Sequence, residues 1–168
     1  MLIKCVQVEL SYKYEIELAT NGWVYGVETG GNIFAQILGK SNIEMVGLLC
    51  MNHINYILNY SIIAIGKSES VEVPISQILK TALLSNADKI MIAHNHPSGI
   101  LNITLDDINL TRKIGRAAEL FKIQLIDSLV VNANGNFVSI REKFGENIYL
   151  NEGPNIQDKR LCRSFPVR

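Results

Sequence analysis

Apolar residues recur along this chain with two different periods, and the changes between them mark out its elements. Residues 2–10, LIKCVQVEL, alternate well enough for a strand, and Tyr12 to Ala19 continues in β-prone residues. Asn21-Gly22 stands between Glu17-Leu18-Ala19 and Trp23-Val24-Tyr25, the best short hairpin signal in the chain. Gly30-Gly31 breaks the pattern, and Asn32 is placed to cap a short helix over Ile33, Phe34, Ile37 and Leu38 that stops at Gly39. Glu44 opens the next apolar run, Met45 to Met51. Asn52-His53-Ile54-Asn55 turns it into a second strand, Tyr56 to Ile65, which predicts an antiparallel hairpin with His53 as a polar turn residue.

Pro74 stands where a helix begins, and Ile75, Ile78, Leu79, Ala82 and Leu83 follow at the spacing of one apolar face. Ser85-Asn86-Ala87-Asp88 ends it, and Lys89-Ile90-Met91-Ile92 reads as a buried strand. A helix after Thr104 is expected to bury Leu105, Ile108, Ala118 and Phe121, with Arg112, Lys113 and Lys122 in solvent. Ile123 to Val131, a turn at Asn132-Ala133-Asn134-Gly135, and Phe137 to Ile140 form a closing hairpin. After Lys143 neither period nor turn logic persists, which predicts a flexible tail. This order of elements is that of an α/β fold, a single mixed β-sheet flanked by helices.

Composition narrows the function. The 16 basic and 16 acidic residues cancel, so no global charge favours nucleic acid. Cys5, Cys50 and Cys162 are widely spaced and form no CxxC pair, which argues for a reducing compartment and against a thiolate zinc site. No apolar run is long enough to span a bilayer, and Lys4 and Glu9 interrupt any signal-like start. A soluble, cytoplasmic protein of one domain is expected.

The stretch that carries chemistry is His94-Asn95-His96-Pro97-Ser98-Gly99, followed by Thr104 and Asp107. Residues i and i+2 of a strand share a face, so the two imidazoles can aim at one point. Pro97 and Gly99 turn the chain, and Thr104 suits the N-cap of the next helix, with Asp107 at its third position. Thr104-Leu105-Asp106-Asp107 is also an ordinary capping box, and a single strand-end His is more often a structural hydrogen-bonder than a ligand. Taken together the balance reverses: two of only three His share a face beside a turn and an acid-capped helix. Two His and one carboxylate, with a position left for water, form the ligand set of a catalytic zinc site.

His-x-His, seven residues, Ser or Thr, two residues, Asp resembles the motif of the JAMM (MPN-plus, JAB) metalloproteases, and His94 to Gly99 is similar in particular to their RadC-like branch. The resemblance implies a JAB/MPN core of cytidine-deaminase-like architecture over residues 30–143; the β-hairpin extension over 1–29 and the tail over 144–168, read from the residue pattern, lie outside it. It implies Zn2+ held by His94, His96 and Asp107. The family's oxyanion-stabilising Ser falls on Thr104, which keeps the hydroxyl. Spacing alone leaves the general base open among Glu9, Glu15, Glu17, Glu28, Glu44, Glu69 and Glu72; the resemblance implies Glu44, at the head of the strand upstream of the helix that precedes the His motif.

Two other zinc chemistries lack their residues here. A zincin needs His-Glu-x-x-His on a helix, and a zinc deaminase needs His-x-Glu with Pro-Cys-x-x-Cys. The function that the resemblance implies is a zinc metallopeptidase cutting a peptide or isopeptide bond, with a ubiquitin-like tag among the conceivable protein substrates. Two alternatives follow from the same resemblance: a DNA-repair or mobile-element accessory protein, and a zinc-bound interaction module without turnover.

Overall fold

The computed structural model describes residues 10–18, 20–66 and 73–145. Helix α1 (Val27–Leu38) precedes the hairpin β1 (Met45–Met51) and β2 (Ile57–Ile65). Then come α2 (Ile75–Leu84), β3 (Lys89–Asn95), α3 (Leu105–Glu119), β4 (Gln124–Val131), β5 (Phe137–Ser139) and α4 (Ile140–Phe144). The five strands make one mixed sheet in the order β2-β1-β3-β4-β5. Only the β3–β4 pair is parallel, and α3 is the crossover that such a pair requires.

Helices cover the sheet on both sides, and the alternation of each strand divides its residues between two cores. Leu49, Met51, Met91, Ala93, Leu129 and Val131 pack with Phe34 and Leu38 of α1. Leu48, Cys50, Ile90, Ile92 and Leu125 pack with Ile78 and Ala82 of α2 and Ile114 and Ala118 of α3. The central strands are thus buried on both faces, which is why their sequences read as continuous apolar runs. Cys50 lies in the second core, where burial, against a smaller opposing hydrogen bond from Ser85, pushes its thiol up to about 11. Among the described residues, no helix is long and apolar enough to cross a membrane.

The hairpins β1–β2 and β4–β5, helices α2 and α3 and the strand at residue 89 lie where the periodicity put them, except that Ile140 opens α4 where it was expected to end the last strand. The N-terminal region differs. Residues 10–18 adopt no regular structure, and Trp23 pairs across to Tyr56 in place of the expected Asn21-Gly22 hairpin. Burial explains the preference: Val24 is 3% exposed, and the Trp23 ring meets the Tyr56 ring edge-on at 4.8 Å. Residues 1–9 and 146–168, which contain the first expected strand and nearly all of the expected tail, lie outside the described residues.

Helix α1 also starts earlier than expected, at Val27, and runs through Gly30-Gly31. These glycines are there for closeness. A Cβ at Gly30 would collide with the Met91 sulfur, and one at Gly31 would stand 2.5 Å from the Phe137 ring. On α2, Thr81 is buried where Leu83 was expected, and Leu83 is exposed. Leu105 at the start of α3 and Phe121 just past its end are about half exposed, while Thr111 and Ile114 take their places in the core.

Helix propensity alone makes Gly→Ala stabilising inside a helix. At Gly31 the sign should reverse, with Gly31→Ala lowering stability by about 1–3 kcal/mol because the new methyl overpacks against Phe137. Urea denaturation of the variant measures this directly, and a stabilised variant contradicts the close-packing account.

Candidate metal centre

Strand β3 brings the two histidines to the end of the sheet. His94 is paired to Val46 of β1 on one side and Val130 of β4 on the other, and it continues the face of Ile90 and Ile92. His96 lies just past the strand, yet its N–H still donates to the Val131 carbonyl at 3.0 Å. The ladder geometry therefore persists far enough to put both rings on one face. The chain then turns, with Gly99 at φ +79° donating its N–H to the His96 carbonyl at 2.9 Å. Ile103 docks against Ile108, Val130 and Ile140, which seats the start of α3 beside the end of β3.

At that helix start Asp107 divides its two oxygens between the cap and His94. Oδ2 accepts from the Thr104 N–H and from its hydroxyl, each at 2.7 Å, while the Thr104 oxygen accepts from the Asp107 N–H at 3.2 Å. Oδ1 lies 3.2 Å from His94 Nε2. Burial alone pushes the Asp107 carboxyl up, but the His94 ring and the two Thr104 donors outweigh it and hold it at about 2, below its ordinary 3.8.

The second imidazole is oriented from behind. His96 Nδ1 lies 2.7 Å from the Ile100 carbonyl, a contact that only an N–H can make favourable, so its Nε2 presents a lone pair. That Nε2 is 3.1 Å from His94 Nε2. Two ring nitrogens and a carboxylate oxygen thus converge, all within 4.8 Å of one another. A single proton on His94 can satisfy one neighbour well; a cation between the three satisfies all of them. Ligand atoms about 2.0–2.1 Å from a tetrahedral zinc would stand roughly 3.3 Å apart. The spacings of 3.1 and 3.2 Å match that on two edges, so the donor set fits a small divalent metal.

The triad opens into a cleft of about 550 Å³ that is also lined by Glu44, Thr104, Ser128 and Lys113. Glu44 is half-buried immediately before β1, with its main-chain carbonyl accepting from the Gly66 N–H at 2.7 Å. The structure therefore brings together all five residues singled out in the sequence, His94, His96, Asp107, Thr104 and Glu44. The Thr104 hydroxyl is committed to Asp107, so an oxyanion contact from it would compete with the cap. His53 is exposed in its turn, 3.9 Å from Asp88, as expected of a polar loop residue.

One supporting residue was not legible. Asn132 reads as a turn residue, but its Nδ2 donates to the Gly99 carbonyl at 2.9 Å and so holds the loop whose Ile100 carbonyl orients His96. Its position just past a buried strand was the available signal.

The sequence profile of the RadC-like JAB domain matches residues 27–146, well over half of the chain. The chain belongs to the RadC-like JAB domain family. Its mixed sheet with flanking helices is the α/β fold of that family. The RadC-like domain is 31% identical over 102 residues to a UPF0758 protein of Acidithiobacillus ferrooxidans, covering 61% of this chain and 45% of that one. It is 34% identical over 89 residues to a UPF0758 protein of Chloroflexus aurantiacus, covering 53% and 38%. A UPF0758 protein of Clostridium tetani is 32% identical over 100 residues, covering 60% and 43%. The match spans less than half the length of each of these relatives.

The depressed Asp107 carboxyl has a consequence for stability. A group whose folded pKa lies below its unfolded value contributes stability above the unfolded pKa and loses it as pH falls through the folded one. With metal removed by chelator, acid unfolding should therefore include a component between about pH 4 and pH 2 that Asp107→Asn abolishes. Thr104→Ala should shrink the same component and cost about 1 kcal/mol from the lost cap. An acid titration monitored by circular dichroism checks both; an unchanged profile in Asp107→Asn contradicts the assignment.

Proposed function

We propose that this RadC-like domain is a zinc-dependent hydrolase of peptide or isopeptide bonds. The observation that carries the reading is the convergence of His94 Nε2, His96 Nε2 and Asp107 Oδ1 in one cleft that Glu44 also lines. Those three atoms would hold the metal. Nitrogen and carboxylate donors with no thiolate, three from the protein and one position open to the cleft, suit zinc in a catalytic role. Bound there, zinc lowers the pKa of a coordinated water toward 7 and polarises a scissile carbonyl.

The remaining work falls to the chain's own side chains. The second oxygen of Asp107 stays on the helix cap, so this ligand is held in place by α3. The Ile100 carbonyl keeps the proton on His96 Nδ1 and the lone pair on Nε2. Glu44 belongs to no ligand pair and faces the same cleft, which suits a carboxylate that takes a proton from the attacking water and delivers it to the leaving nitrogen. Thr104 would steady the developing oxyanion only by turning its hydroxyl away from Asp107. The substrate on this reading is an extended segment of a protein, a ubiquitin-like tag being one such substrate.

Two expectations test this. Purified chain should carry about one zinc, and His94→Ala, His96→Ala and Asp107→Ala should each lower the metal content sharply, since a set missing one of three protein ligands cannot be completed by a single water. Elemental analysis is the measurement, and full occupancy in His96→Ala would remove His96 from the ligand set. Glu44→Gln should keep its zinc and its melting temperature but lose about 10²–10⁴-fold in turnover of a cleavable peptide or isopeptide found by screening. A Gln variant that cleaves at the wild-type rate would move the base to another carboxylate.

A further inference from the structure

The residue between the two histidines takes no part in the ligand set. Asn95 continues the Met91–Ala93 side of β3, so its side chain lies on the sheet face opposite His94 and His96, and it is 0% exposed. Its amide is fully used. Nδ2 donates to the carbonyls of Ser41 at 3.2 Å and Ile43 at 3.0 Å, and Oδ1 accepts from the Met45 N–H at 2.8 Å. All three partners belong to one short stretch, and Ile43 and Met45 bracket Glu44.

The other ties of that stretch are local or lead to the edge of the sheet: the Ser41 N–H donates to the Leu38 carbonyl, the Ser41 hydroxyl donates to the Ile43 carbonyl and accepts from the Ile43 N–H, and the Glu44 carbonyl accepts from the Gly66 N–H just past β2. Residues 41–44 lie outside any helix or strand. The β1–β3 ladder ends at the pair Val46–His94, and at the next position the Asn95 side chain takes the Met45 N–H. Carboxamides are the uncharged side chains that offer two N–H donors and a carbonyl acceptor in one planar group, which is what two carbonyls and one N–H demand. With Asn95 fully buried, its amide has no solvent to turn to if these bonds are lost.

We propose that Asn95 is the positioning residue for Glu44. Through it the strand that carries the two imidazoles also sets the place of the carboxylate opposite them, one function on each face of the same three-residue run. This rests on the reading of Glu44 as general base given above. Placement of such a group matters because a misplacement of about 1 Å can cost on the order of 10²-fold in rate.

The test begins with the wild-type chain. The Asn95 side-chain NH2 protons should exchange with solvent far more slowly than those of the exposed Asn102 and Asn109; equally fast exchange overturns the proposal with no variant needed. Asn95→Asp keeps an acceptor for Met45 but sets an oxygen against the two carbonyls, which releases the loop. Its affinity for zinc, titrated with zinc alone, should match wild type, while kcat falls about 10–100-fold, the range seen for outer partners of metal sites. In the Glu44→Gln background Asn95→Asp should slow turnover no further, because the group it positions is already gone. A loss of zinc affinity, or a full additional loss of rate in that background, overturns the proposal and leaves the base assignment standing. Wild-type turnover in Glu44→Gln removes the base and this proposal together. If Asn95→Asp does not fold, Asn95→Ser, which keeps a hydroxyl acceptor for the Met45 N–H and drops the donors to Ser41 and Ile43, takes its place in both backgrounds.

Discussion

One carboxylate with two oxygens joins the fold to the candidate site. Asp107 Oδ2 closes the cap of α3, and Oδ1 reaches His94. The start of α3 and the third corner of the triad are therefore the same event, and neither can shift without the other. The positive end of the helix favours a carboxylate at that position, adding to the pull that keeps it ionised. Asparagine there would offer one oxygen for two tasks, and glutamate would carry the charge past the cap. The parallel β3–β4 connection depends on this seat too, because α3 is the crossover between them.

Much of the fold was legible because the strands are buried on both faces and the hairpins carry their own turn residues. The His-x-His site was legible for a similar reason: its three donors lie within one stretch of chain, and strand alternation plus a capping box place them without knowledge of the rest. What sequence reasoning missed depends on contacts between distant segments. Gly30-Gly31 looks like a break, and only the proximity of Met91 and Phe137 makes it a helix interior. The Asn21-Gly22 turn lost its local pairing to a bridge with Tyr56, more than thirty residues away. Leu105 and Phe121 were assigned to the core by hydropathy, yet Thr111 occupies it by donating its hydroxyl to the Asp107 carbonyl at 2.7 Å.

Glu44 illustrates the same boundary within the site. No spacing argument connects it to His94; the resemblance to the family did, and the antiparallel pairing of β1 with β3 supplies the physical link. Asn132 lies beyond that reach, since its role is defined by the carbonyl of a loop more than thirty residues earlier.

This split between local and distant contributions has a practical side. The ligand donors are gathered by β3, the turn and the first turn of α3, whereas Glu44 reaches the cleft only when β1 is laid along β3. β1 is no detachable flank: Leu48, Leu49, Cys50 and Met51 are fully buried between the two helical layers, and only β2 lies beyond it at the edge of the sheet. Seating Glu44 is therefore part of closing the core, and a chain that folds cooperatively acquires the carboxylate and the donors together.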